Sequence, residues 1–142
     1  MIQLRNVLLI DDDEINNFIT RNFIHASDEI SFDQITEFSN GEDALIYLAG
    51  NRDFLSALDL IILDINMPRM DGFEFLDALP RLSPMTDTAS IPIMMLSSSI
   101  RHEDKVKSLS FYNVKAYISK PLTKQILTDF IREYILIIRQ HL

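Results

Sequence analysis

Short apolar runs that stop abruptly on polar residues recur along this chain, with amphipathic stretches between them. Val7-Leu8-Leu9-Ile10 stops at Asp11-Asp12-Asp13-Glu14, Leu60-Ile61-Ile62-Leu63 at Asp64, and Ile93-Met94-Met95-Leu96 at Ser97. Apolar runs of this length, bounded by turn residues, read as strands buried on both faces. Residues 32–38 alternate roughly and predict a further strand, and 115–119 predict a last one ending on Lys120-Pro121.

The stretches between the strands carry helical periodicity. Ile15, Phe18, Ile19 and Phe23 recur at helical spacing and predict a first helix to about His25 with these residues as its buried face. Ser39 followed by Glu42 fits a capping box and opens a second helix through Ala44, Leu45 and Leu48 to Gly50. Asp71 is placed to cap a third helix with Phe73, Leu76 and Leu79 inward, ending near Pro80. A polar fourth helix is predicted over 99–109 with Val106 and Leu109 inward, and a long last helix from Thr123 to about Gln140. The connection 80–92, with its prolines, reads as a loop.

Strands alternating with helices imply an α/β fold, a doubly wound parallel sheet covered on both faces, because parallel strands need right-handed crossovers. At 142 residues the chain is expected to form one domain, 1–142, with no effector domain. In open sheets of this kind ligands bind outside the carboxyl ends of the strands. Asp11, Asp12, Asp64, Ser97 and Lys120 all stand at such ends, so they should meet on one edge.

Composition narrows the chemistry. Without cysteine there is no thiolate nucleophile, thiolate metal site or disulfide. A net charge of -8 disfavours general binding to nucleic acid. The charge is uneven: residues 1–100 hold 5 basic and 17 acidic groups, residues 101–142 hold 8 and 4. A solvated basic surface is the simplest reading of that final third. No apolar run reaches the roughly 18 residues of a membrane span and no signal peptide opens the chain, so the protein is expected in the cytoplasm. His25, His102 and His141 lack metal-ligand spacing.

Clustered carboxylates repel and resist ionising together unless a cation compensates. A hard divalent ion such as Mg²⁺, which takes oxygen ligands and shares them with phosphate, suits such a group. A carboxylate can also attack phosphorus to give an aspartyl phosphate, and the Lys120 ammonium and Ser97 hydroxyl would then contact phosphoryl oxygens.

VLLIDDDE, LIILDINMPRMDG, IPIMMLSSS and AYISKP, in this order and each at a strand end, resemble the receiver domains of two-component response regulators. The resemblance runs from about Asn6 to the final helix and implies a flavodoxin-like sheet in the order 2-1-3-4-5. It further implies that Asp64 is the phospho-acceptor, loaded by a histidine kinase or a histidine phosphotransfer protein. Asp11, Asp12, Asp64 and the backbone carbonyl of Asn66 would hold Mg²⁺ (or Mn²⁺), with Asp12 the stronger ligand of the acidic pair. Lys120 and Ser97 would bind the phosphoryl group, and the Lys120–Pro121 bond is expected to be cis. Ser97 and Tyr117 would form the switch that alters the surface of the fourth helix, fifth strand and fifth helix. The expected role is signalling, limited to self-phosphorylation and self-dephosphorylation, toward an unspecified protein target.

Two alternatives stand beside it. A phosphohydrolase of the haloacid-dehalogenase type shares the aspartyl nucleophile and Mg²⁺, but it normally has a second acid two residues on, where this chain has Asn66. A receiver-like scaffold that never takes phosphate would fit the same fold. Ile135-Leu136-Ile137-Ile138, apolar all round the last helix, suggests either burial on the sheet or a homodimer.

Overall fold

Parallel pairing organises the chain into β1 (Ile2–Ile10), α1 (Glu14–His25), β2 (Ile30–Phe38), α2 (Gly41–Gly50), α3 (Arg52–Ser56), β3 (Leu58–Leu63), α4 (Gly72–Ala78), β4 (Ile93–Ser97), α5 (His102–Leu109), β5 (Val114–Ser119) and α6 (Lys124–Phe130). The computed structural model describes residues 2–82 and 87–136. The strands form one parallel sheet in the order β2-β1-β3-β4-β5, the order expected. The chain winds outward from β1 in both directions, so a crevice opens between the carboxyl ends of β1 and β3.

The alternation of side chains divides the core in two. Leu8, Ile10, Ile61, Leu63, Ile93 and Met95 pack on one face against Ala44 and Leu48 of α2 and Phe73, Phe75 and Leu76 of α4. Val7, Leu9, Leu60, Ile62, Met94 and Leu96 pack on the other against Ile24 of α1 and Leu127 and Phe130 of α6. Every residue of β3 and β4 is buried, which is why their sequences show no alternation of polarity.

β3 also carries an acid at its start. Asp59, 7% exposed, accepts the Arg5 backbone N–H at 2.7 Å and pairs with the Arg5 guanidinium at 3.3 Å.

Several expectations need correction. The inward stripe of α1 is Asn16, Thr20 and Ile24, whereas Ile15 and Phe18 are 73% and 53% exposed. Polar Asn16 is held inward by a hydrogen bond to Asp11, while Phe23, also expected inward, packs against the core. The cap of α2 is Asn40, one residue later than Ser39: its Oδ1 accepts the Asp43 N–H at 2.8 Å and its Nδ2 donates to the Asp43 carboxylate. Val106 and Leu109 of α5 are 55% and 45% exposed, and the inward residue is Ser108, whose hydroxyl bonds to the Asp104 carbonyl. Helix α3 had no periodicity long enough to predict it.

Asp71 caps α4 in a full capping box with Glu74, as its spacing suggested. Short 3-10 turns at Leu79–Arg81 and Thr88–Ser90 lie within the long connection. The last helix passes into a π-helical segment, Ile131–Leu136, where Ile135 is buried in the chain's own core. The rest of the apolar run, 137–138, lies outside the described residues.

Candidate functional site

The carboxyl end of β1 delivers Asp11, which is 4% exposed and held on every side. Its Oδ1 accepts the Asp13 N–H at 2.9 Å, and its Oδ2 accepts the Asn16 amide at 3.0 Å. Asn17 donates to its carbonyl at 2.9 Å. Asp13 caps α1 by accepting the Asn16 N–H at 3.1 Å, so the first turn of the helix and the position of Asp11 are fixed together. Sequence reasoning missed Asn16 and Asn17, because polar residues on the inner side of α1 leave no mark in the apolar periodicity.

β3 delivers Asp64, also 4% exposed, through the last ladder bonds of the sheet: its N–H donates to the Ile10 carbonyl at 2.9 Å. One carboxylate oxygen accepts the Ile65 N–H at 2.9 Å. Ligand oxygens of Asp11, Asp12 and Asp64 lie within 4.8 Å of one another, with Asp12 on the solvent side. Asn66 is exposed in the loop that follows.

β4 and β5 bring Ser97 and Lys120 to the same edge, and the Lys120 N–H donates to the Ser97 carbonyl at 2.9 Å. The Lys120 ammonium lies 2.9 Å from Asp11, 3.6 Å from Asp64 and 3.8 Å from Asp13. The Lys120–Pro121 bond is cis, as expected. Tyr117 is half-buried on β5, and its hydroxyl donates to the Ser99 carbonyl at 3.2 Å.

The electrostatics follow from this crowding. Burial, and then the Asp11 charge, push Asp64 up to about 7, while Lys120 and the Ile65 N–H pull it only part of the way back. Burial works against the Lys120 charge, but the Asp11, Asp64 and Asp13 carboxylates outweigh it and hold the ammonium above its ordinary value. One cation thus serves a group of acids that it does not neutralise. Clustered oxygens with a surplus of negative charge suit a hard divalent ion, and the donor set of Asp11, Asp12 and Asp64 fits one.

Gly72 makes the loop after Asp64 possible. Its N–H donates to the Ile65 carbonyl at 2.7 Å, and a Cβ at this position would lie 2.4 Å from the Asp64 carbonyl oxygen. Gly72→Ala is expected to destabilise the protein by about 3 kcal/mol, through displacement of the backbone that carries Asp64. Urea unfolding at fixed pH measures it, and a loss below about 0.5 kcal/mol would mean that the loop yields freely.

Comparison with known proteins agrees with this fold. The model of the response regulator receiver domain family matches residues 7–132. The two-component response regulator ORR41 of Oryza sativa subsp. japonica is 34% identical over 119 residues, 84% of this chain and 85% of that protein. The gliding motility regulatory protein of Myxococcus xanthus is 32% identical over 114 residues, 80% of this chain but 13% of its own length. Among solved structures, a two-component response regulator from Cytophaga hutchinsonii is 30% identical with a TM-score of 0.78, covering 93% of this chain and 97% of that one. The phosphorylated cyanobacterial phytochrome response regulator RcpA is 25% identical with a TM-score of 0.75, covering 94% and 96%.

The chain belongs to the response regulator receiver domain family. It is a signalling domain of two-component systems, and the phosphohydrolase alternative is not favoured. Among the described residues, no helix is long and apolar enough to cross a membrane.

Proposed function

We propose that Asp64 accepts a phosphoryl group from the phosphohistidine of a histidine kinase or histidine phosphotransfer protein. The observation that carries this reading is a buried carboxylate, poorly neutralised, with an ammonium at 3.6 Å and acidic neighbours able to share a cation. The similar regulator RcpA is described as phosphorylated, which supports the reading.

In the reaction an Asp64 carboxylate oxygen attacks phosphorus and forms an acyl phosphate. The phosphorus–nitrogen bond breaks, and its electron pair returns to the donor imidazole, which is released neutral after taking a proton. Asp64 must be ionised to attack, so its raised protonation range is a barrier that a bound cation removes. Asp11, Asp12, Asp64 and the Asn66 carbonyl would hold Mg²⁺ or Mn²⁺, which when bound offsets the charge shared by the acids and the phosphoryl oxygens. Lys120 holds its positive charge beside Asp64 and stabilises the phosphoryl oxygens, and the Ser97 hydroxyl donates to another of them.

Ser97 and Tyr117 then form the switch. The phosphoryl group interacts differently with alternative arrangements of the loop after β4, and that difference shifts the population of the α5–β5–α6 surface. Output runs through a protein that reads this surface, with residues 1–142 acting as one receiver unit in the cytoplasm. The domain's own chemistry is confined to gaining and losing its phosphoryl group.

Incubation with acetyl phosphate and Mg²⁺, followed by intact-mass measurement, tests the assignment. Wild type should gain the mass of one phosphoryl group and Asp64→Asn should gain none. Wild type without an adduct under any donor would leave the scaffold reading, and turnover of external phosphoesters would restore the hydrolase reading.

A further inference from the structure

Ser99 ties the loop after β4 to everything around it. Its N–H donates to Ser97 Oγ at 3.1 Å, and its carbonyl accepts from the Tyr117 hydroxyl at 3.2 Å. Its own hydroxyl donates to Asp104 Oδ2 at 2.5 Å and accepts the Arg101 N–H at 3.2 Å. Asp104 stands in the first turn of α5, where its carbonyl accepts from the Ser108 hydroxyl at 2.7 Å. One residue therefore joins β4, β5 and α5.

The direction of these bonds matters. A serine hydroxyl has one proton to give and can accept on its oxygen. Because Ser97 Oγ accepts from Ser99, its single proton is left for another acceptor, and a phosphoryl oxygen on Asp64 would be one. The donation from Ser99 orients that hydroxyl only while the Ser99 peptide stays where it is. The Ser99–Asp104 bond is charge-assisted and half-buried, which makes it the strongest anchor the Ser99 side chain has. A Ser99 that swings away from Asp104 takes both its N–H from Ser97 and its carbonyl from Tyr117.

We propose that Asp104 is a positioning residue for phosphoryl recognition. Acting through Ser99, it holds the β4–α5 loop so that the Ser97 hydroxyl faces the phosphoryl group while Tyr117 stays engaged. The proposal rests on Asp64 being the phospho-acceptor. It also supplies a connection to the surface: the helix that carries Asp104 carries the exposed Val106 and Leu109, so phosphoryl occupancy and the setting of that helix are linked, in both directions.

Beryllofluoride with Mg²⁺, a phosphoryl analogue, provides the probe, with affinity measured by isothermal titration calorimetry. Asp104→Ala and Ser99→Ala should each weaken beryllofluoride binding about three- to tenfold, and the double variant should be no weaker than Ser99→Ala, which removes the bond to Asp104 together with the one from the Arg101 N–H. Ser99→Thr, which keeps the hydroxyl, should restore near-wild-type affinity. Affinity for Mg²⁺ alone should not change in any of these variants, and that readout separates positioning from general disruption of the fold. If wild type neither binds beryllofluoride nor takes phosphate, the phospho-acceptor reading falls and the proposal with it. If wild type binds and Asp104→Ala binds as tightly or more tightly, the role of Asp104 alone is overturned.

Discussion

Lys120→Met makes the metal-free protein less stable by about 3 kcal/mol and slows its phosphorylation by acetyl phosphate by about 100-fold. Both effects have one origin. The ammonium touches Asp11 at 2.9 Å and lies within reach of Asp64 and Asp13, in a position where its side chain is 13% exposed. Removing one member of a buried ionic group leaves the others uncompensated, and that cost exceeds what the pair contributed. Protonation limits the loss, because Asp64 already sits near 7 and rises further once the lysine is gone. The stability difference from wild type should therefore be larger at pH 8 than at pH 6. Added Mg²⁺ should return part of the stability, while the rate stays low because phosphoryl charge goes uncovered. Urea unfolding and the mass-detected rate measure the two separately; an unchanged rate would remove Lys120 from the chemistry.

The second large effect is a pH dependence that runs opposite to ordinary acid denaturation. Asp64 rises from 3.8 to about 7 in the folded protein, so between these values the native state holds a proton that the unfolded chain has released. Stability then falls as pH rises through this window, with the contribution fully present below 3.8 and lost above about 7. The size is on the order of 4 kcal/mol for a shift of this extent. Other carboxylates titrate in the same range, so the clean measurement is wild type against Asp64→Asn. In metal-free buffer the variant should gain on wild type as pH rises from 4 and level off above 7. Mg²⁺ should stabilise wild type more at pH 7.5 than at pH 5.5, because it binds the ionised form. A difference between the two proteins that does not vary with pH would mean that Asp64 titrates at its ordinary value.

Strand ends and the acidic edge were legible in the sequence because each depends on local chemistry, whereas the strand order came only through the family resemblance. A fully buried parallel strand must be apolar until it leaves the sheet, so the residue at which the run stops marks the site: Ile10 before Asp11, Leu63 before Asp64, Leu96 before Ser97. Asp71 was legible as a cap, whereas the reason for Gly72, the approach of the Asp64 carbonyl, needs coordinates. The helices were read less well. In α1 and α5 apolar periodicity pointed partly to the exposed side, at Ile15, Phe18, Val106 and Leu109, because inner positions are filled by Asn16 and Ser108, which hydrogen-bond there, and by Thr20. A hydrophobicity pattern does not register such residues. The same blindness hid Asn16 as a partner of Asp11 and Asp104 as an anchor for Ser99.

Asp59 and Asp64 invite a comparison along the length of β3. Both are buried acids on one short strand, yet the first faces a guanidinium and a backbone N–H of its neighbour β1, and the second shares a lysine with Asp11. The strand is thus polarised in reactivity: its amino end is electrically closed, whereas its carboxyl end is left hungry for positive charge. A single element in this way anchors the domain at one pole and leaves charge uncompensated at the other.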